Sequence, residues 1–323
     1  MTLATTYKTA QPAYIADDTD KLLTAFINNI DARARTKQTY KQGARLFVNW
    51  LIENGKNPRV KADAIAYAEY VRAAYKPTTA ATYITSMRAF YKFLDERGLC
   101  PDLGQGIKGP KRDEGFNRAA LTPAQARDLL DSIDRSTPAG IRDYALIHLF
   151  IHAGLRAIEA TRLNVEDLRI ELDRDGRERH VIHVHGKGRD DKKPFIPLSS
   201  SAYAVLNDYL VSRGPLSEGS PMFASYSNRN SNGRLTTRAV SGIVKSRMAG
   251  AGLVSPLLCC HSLRHTAATF SILGGARLEE TQQFLRHRDP SITLTYVHAL
   301  DRAANPSADA IDRILNGQGP AEH

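Results

Sequence analysis

The 323-residue chain has few cysteines, no long apolar run and no internal repeat at a fixed period. Cys100, Cys259 and Cys260 form no framework of spaced pairs, which argues against a disulfide-built secreted fold and for a reducing compartment. Nothing approaches the roughly 18 consecutive apolar residues that mark a membrane span. The first residues, MTLATTYKTAQPAYIADD, lack the basic start and apolar centre of a secretion signal. These absences predict a soluble cytoplasmic protein with no membrane partner. Two nucleotide-binding fingerprints are present in letters only. Gly104, Gly106 and Gly109 spell G-x-G-x-x-G, but no apolar strand precedes them and no helix opens within them. GKGRD at 186–190 lacks the glycine and Ser/Thr spacing of a P-loop.

Positive charge is abundant. Lys and Arg outnumber Asp and Glu by 44 to 34, a net charge of +10. The balance favours a polyanionic partner such as nucleic acid over an acidic small molecule. The plainer alternative is a basic protein without such a partner. The length exceeds that of a usual single core and predicts two domains.

Residues 1–17 show no periodicity and are expected to be a flexible arm. Residues 18–103 read as a small helical bundle. In TKQTYKQGARLFVNWLIENG, Tyr40, Ala44, Phe47, Val48 and Leu51 share a stripe, with Thr36 as the expected cap and Gly55 as the stop. ADAIAYAEYVRAAY, closed by Pro77, and TTAATYITSMRAFYKFLDERG, with Ile84, Met87, Tyr91 and Leu94 in phase, complete the bundle. Lys37, Lys41, Arg45, Arg88 and Lys92 are candidate phosphate contacts, against the alternative of a merely solvated face. Residues 104–118 read as a linker. A second domain, 119–305, opens on LTPAQARDLL with Thr122 as N-cap, Pro123 at the first helical position and Gln125 in the capping-box place. A long apolar helix then runs to Gly154. LRIEL, HVIHV and PFIPL predict a three-stranded antiparallel meander, and helical patterns return after it. The fold class is therefore mainly α with a small antiparallel β-sheet.

The stretch CCHSLRHT at 259–266 invites two readings. Adjacent Cys259 and Cys260 lack the separation that lets two sulfurs converge on zinc, and His261 and His265 enclose no glutamate, so no metal is expected. A phosphate suits His261 and Arg264 better. They lie three residues apart on one helix face, and a planar guanidinium offers two parallel donors to phosphate oxygens. Alone this signal is weak. AGLRAIEATRLNVEDL, however, sets Arg156 after a helix-ending glycine with Glu159 three residues on, HVHGKGRD sets Lys187 in a turn between strands, and LRHRDPSITLTYVH carries His287 and Tyr296.

This ordered set resembles the tyrosine recombinases, or phage integrases, of the Xer and mobile-element type, over residues 18–315. The resemblance implies a helical core-binding (SAM-like) domain and a tyrosine recombinase catalytic domain forming a C-shaped clamp around DNA. It assigns catalysis to Arg156, Lys187, His261, Arg264, His287 and Tyr296. The implied activity is site-specific recombination of double-stranded DNA through a 3′-phosphotyrosyl intermediate, without a cofactor. It would serve integration and excision of a mobile element or resolution of chromosome or plasmid dimers. DNA relaxation in the manner of a type IB topoisomerase, or non-catalytic DNA-binding regulation on the same fold, are the alternatives. Two departures stand out. The Lys187 turn is long, RDDKKPFIPL, with Pro194 near the place of a family Arg, so Lys192 or Lys193 is an alternative to Lys187. His287 follows Arg286 where the family has Gly, which bears on the local backbone.

The resemblance also implies a role for each residue. Tyr296 would attack phosphorus; Arg156, Arg264 and His287 would bind the non-bridging oxygens; Lys187 would protonate the leaving 5′ oxygen. His261 assists phosphate binding or takes the tyrosine proton. Glu159 orients Arg156 or His261, and His298 supports by packing or phosphate contact. His148, His152, His180, His183 and His185 show no partner pattern. In the tail, 306–323, SADAIDRILNG forms an amphipathic helix with Ser307 as cap and Ala308, Ile311 and Leu315 as its stripe. By the resemblance it exchanges between protomers of a tetramer on DNA at the nucleoid, with an accessory protein as a further possible partner. Docking on its own domain is the alternative.

Overall fold

The computed structural model describes residues 19–111, 119–185, 194–287 and 289–316. The predicted arm, the later part of the linker and the turn bearing Lys187, Lys192 and Lys193 lie outside the described residues. The chain divides into two compact units, Met1–Gly115 and Phe116–His323.

In the first unit, α1 (Thr19–Asn29), α2 (Ala34–Glu53), α3 (Lys61–Ala74) and α4 (Pro77–Glu96) enclose one core. Phe26, Phe47, Tyr67, Phe90 and Tyr91 are fully buried there, and Phe47 stacks obliquely on Tyr67 at 4.8 Å. A close α2–α4 approach is possible because position 43 is glycine; a Cβ there would meet Ser86 at 2.5 Å. The expected cap Thr36 is instead two residues inside α2, with Arg33 at the N-cap. Ala34 and Arg35 are good helix formers, so the helix runs back through them. Pro77 closes nothing: α3 has already ended at Ala74, and the proline starts α4, where its missing N–H costs no helical bond. The early part of the stretch read as linker is tied to this unit. Lys61 Nζ donates to the carbonyls of Leu103 and Gln105 at 2.5 Å in the latter case, and Arg72 donates to Lys108 O at 2.6 Å.

The second unit begins with α5 (Pro123–Asp131), capped by the reciprocal Thr122 and Gln125 bonds at 3.2 and 2.9 Å. Helix α6 (Pro138–Ala153) is buried on most sides and ends at Gly154 in the left-handed conformation. A Cβ at Gly154 would also strike Leu285 at 2.6 Å, so both backbone and space require glycine. After α7 (Ala157–Arg162), strands β1 (Leu168–Leu172), β2 (Glu178–His183) and β3 (Phe195–Pro197) form the antiparallel meander in the order β1-β2-β3. Ile182 pairs with Ile196 and both point into the core. Val184 N–H donates to Pro194 O at 2.8 Å, so the pairing of β2 and β3 extends to these residues. Helices α8 (Ser200–Ser212), α9 (Thr237–Gly250), α10 (Cys260–Leu273), α11 (Leu278–Leu285), α12 (Pro290–Ala303) and α13 (Ser307–Leu315) follow. Pro306, not Ser307, is the N-cap of α13, because Asn305 Oδ1 already accepts the Ser307 N–H at 2.9 Å.

Candidate active site

The site of the second unit is assembled from helix ends. Gly154 turns the chain, Leu155 is buried as an anchor, and Arg156 occupies the N-cap of α7. Three residues on, the Glu159 carboxylate accepts from the Arg156 N–H at 2.8 Å and from Arg156 Nη1 at 2.6 Å. Arg156 Nη2 reaches Arg286 O at 3.3 Å. The expected orienting role of Glu159 thus has a direct geometric basis toward Arg156. Burial pushes the Glu159 pKa up, but the guanidiniums of Arg286 and Arg156 outweigh it and hold the carboxyl below its usual range.

Arg264 projects from α10 and is 1% exposed. It donates to the carbonyls of Gly154 and Leu285, joining the end of α6 to the end of α11. Burial, and then Arg156 and Arg286 nearby, lower its pKa to about 9, which leaves it charged at neutral pH.

Arg286 was noted in the sequence only as a departure from glycine. It caps α11 in the left-handed conformation, φ 56°, so it adopts the backbone that glycine would take more easily. Such a conformation costs about 1 kcal/mol or more for a residue with a Cβ. Its side chain offsets this through Nη2 to Glu159 Oε2 at 2.8 Å and Nη1 to Phe284 O at 2.7 Å. Arg156 and Arg286 pair with Glu159 while Arg264, bonded to carbonyls, feels that carboxylate only through space, so among the described residues here positive charge exceeds negative in a buried place.

His287 follows, its Nδ1 3.0 Å from Thr293 Oγ1 on the buried side of α12. Burial, then Arg264, Arg156, Arg286 and His261, lower its pKa to about 3, so the ring is neutral before an anion arrives. When Thr293 donates to Nδ1, the remaining ring proton sits on Nε2, where it serves as a donor. Tyr296 lies one turn further along α12 and is 4% exposed. Burial raises its pKa to about 12 against the pull of Arg264. Its Oη is 2.5 Å from Nδ1 of His265, whose ring centroid is 5.0 Å from that of the exposed His261.

Arg156, Glu159, His261, Arg264, His287 and Tyr296 thus come from distant sequence positions into one electrostatic neighbourhood. Lys187, Lys192 and Lys193 lie outside the described residues. His298 is exposed, and two residues at 100° each put it on another side of α12 from Tyr296. Of the candidates in the first unit, Lys37, Lys41 and Arg45 recur every four residues along α2, Arg45 pairs with Asp20, and Lys92 lies 3.9 Å from Glu96; Arg88 is exposed. His265, Arg286 and Thr293 are site components that motif reading missed. The signal available for His265 was its place directly after Arg264, one helical step round the same helix.

The phage integrase family profile matches residues 119–302, more than half of the chain and all of this site. The chain belongs to the phage integrase family. A tyrosine recombinase XerD of Listeria monocytogenes serotype 4b (strain F2365) is 30% identical over 272 residues, covering 82% of this chain and 88% of the relative. A tyrosine recombinase XerC of Roseiflexus castenholzii (strain DSM 13941 / HLO8) is 33% identical over 228 residues, 69% of each chain. Among solved structures, the XerH site-specific recombinase bound to palindromic difH substrate in a post-cleavage complex superposes with a TM-score of 0.70 at 17% identity, covering 95% of this chain and 90% of that one. A lambda integrase (75–356) dimer bound to a COC′ core site gives 0.61 at 15% identity, with 88% and 94% covered. These two likenesses show the fold. Within the phage integrase family the chain is a tyrosine-type site-specific recombinase.

Proposed function

We propose that Tyr296 attacks the scissile phosphate of a double-stranded recombination site, giving a 3′-phosphotyrosyl DNA and a free 5′-hydroxyl. The observation that carries the reading is the excess of positive charge, three guanidiniums around Glu159, within reach of a buried phenol. Arg156 and Arg264 bind the non-bridging oxygens as charge builds in the transition state, and the Nε2 proton of His287 adds a donor. His261 completes the phosphate contacts, and Lys187, or Lys192 or Lys193 in its place, protonates the departing oxygen. The phosphotyrosyl ester retains the energy of the bond that was broken, so a partner strand's hydroxyl reverses the attack and strands are exchanged. Lys37, Lys41, Arg45, Arg88 and Lys92 supply phosphate contacts from the first unit. His298, exposed on another side of α12, supports by packing or by phosphate contact.

Assembly into a tetramer rests on α13. No residue of this helix is buried, and Ile311, Ile314 and Leu315 are 60, 64 and 77% exposed. An open groove of about 550 Å³ beside α5, α6, α10 and α11, with Ala126, Leu130, Ile151, Phe270 and Phe284 in its walls, is apolar enough to receive the same stripe from a neighbouring copy. The event served is integration and excision of a mobile element or resolution of dimers. The deciding experiment selects bound sites from a random duplex library and then places two copies of a selected site on one supercoiled plasmid. Recombinant circles are expected; relaxation of plasmids without sites, and no recombinants, would overturn the reading.

A further inference from the structure

The nucleophile's proton has to go somewhere. Tyr296 Oη is buried, and its hydrogen bond runs to Nδ1 of His265 at 2.5 Å. His265 and Arg264 are consecutive on α10, so one helix presents a phosphate-binding guanidinium and, one step round, an imidazole directed at α12. The two side chains would then work on the two ends of one event, the oxygen that attacks and the phosphoryl group that it attacks. We propose that His265, through Nδ1, is the base that takes the phenolic proton of Tyr296 during strand cleavage, and so is a further catalytic residue of this chain. The inference rests on the proposed role of Tyr296 as nucleophile.

The step balances without any further reagent. The Tyr296 O–H bond breaks and its proton passes to Nδ1, as the Oη–P bond forms and the bond from phosphorus to the 5′ oxygen breaks. That oxygen leaves with the electron pair and takes a proton from the general acid. In rejoining, the incoming hydroxyl attacks phosphorus and gives its proton back to the general acid, the Oη–P bond breaks, and His265 returns its proton to Oη. Acceptance requires the neutral tautomer with the proton on Nε2. Burial favours the neutral phenol of Tyr296 and raises its pKa to about 12, so the proton does not leave unaided at neutral pH. His261, exposed in the first turn of α10 with its ring edge-on to His265, is left to contact phosphate or relay the proton onward.

The test uses the full chain on a nicked duplex of a selected site under single-turnover conditions. His265→Asn places an amide atom where Nδ1 stood, keeping a hydrogen bond to the phenol but accepting no proton. It is expected to bind the duplex as the wild type does and to cleave about 10²- to 10⁴-fold more slowly. Substituting 2,3,5-trifluorotyrosine at 296, a more readily ionised phenol, is expected to recover at least tenfold of that loss in the variant. A substrate with sulfur at the 5′ bridging position, which leaves without an acid, is expected to leave the variant slow. Cleavage by His265→Asn within threefold of wild type overturns the proposal. So does a loss untouched by the fluorinated phenol, or full rescue by the sulfur substrate, which would make His265 a prop or an acid. Wild-type cleavage with its adduct on another residue, or none at all, overturns the assignment of Tyr296 itself and His265 with it.

Discussion

The pocket around Arg264 and the helix α13 belong to one unit and present opposite surfaces. The pocket buries charge: three guanidiniums face a single carboxylate, and Arg264 is 1% exposed. Helix α13 exposes hydrocarbon, with Leu315 77% accessible. Each is unfavourable for the chain by itself, since an unbalanced buried charge and a bare apolar stripe both lack their complement. The comparison teaches that this chain's local costs state what each surface lacks: negative charge in the first, apolar cover on the second.

The sharpest break in the comparison falls in the pocket. Arg264→Ala is expected to slow cleavage by about 10³-fold. It also removes the Arg264 donor from Leu285 O, a loss of about 1–3 kcal/mol, and leaves Gly154 O with Arg286 Nη2 at 3.3 Å. Single-turnover cleavage and chemical denaturation measure the two effects separately. Glu159→Gln keeps the shape and removes the carboxylate that pairs with Arg156 and Arg286; it is expected to cost about 3 kcal/mol of stability, partly restored by inorganic phosphate in a melting experiment. If phosphate does not help that variant more than the wild type, the pocket is not short of an anion.

Truncation after Asn305 tests the other side. Binding of one protomer to a half-site is expected to survive within threefold, while higher-order complexes on two sites disappear from sizing of the protein on DNA. Survival of those complexes would mean that α13 is not the assembling element.

Acid should separate the regions further. The folded pKa of His287 is depressed to about 3, so the unfolded chain binds the proton first as pH falls below about 6.5. Its contribution to stability is therefore fully present above the unfolded value and lost progressively from there down to the folded one. Burial is the largest cause of this shift, and Arg264, Arg156, Arg286 and His261 are the charged and titratable groups that add to it. Melting temperatures at pH 7.5 and 5 are expected to differ less in His287→Gln than in the wild type, and phosphate is expected to narrow the wild-type difference. The smallest effect belongs to Arg286→Gly. It relieves the left-handed backbone but gives up the bond to Glu159, and the two changes should nearly cancel, within about 1 kcal/mol in denaturation.

Much of this was legible in the sequence because the signals were local. Thr122 and Gln125 make their capping box wherever the rest of the chain lies, and Gly154 stops α6 by its own backbone freedom. Arg156, Arg264, His287 and Tyr296 were legible through the order and spacing of their motifs. His265 was not, because spacing places it on α10 without saying how that helix is rotated against α12. Arg286 misled for a different reason: a left-handed residue suggests glycine, and only the nearby Glu159, distant in sequence, shows what supports a side chain there. The start of α2 at Ala34 was missed because helix propensity extended it through a position where Thr36 looked like a cap.

The most direct measurement mixes the full chain with a nicked suicide duplex and maps the protein–DNA linkage by mass spectrometry. The account predicts one adduct, between the oxygen of Tyr296 and a 3′ phosphate, absent from Tyr296→Phe. A linkage through any other side chain, or a 5′ phosphate joined to the protein, would contradict it.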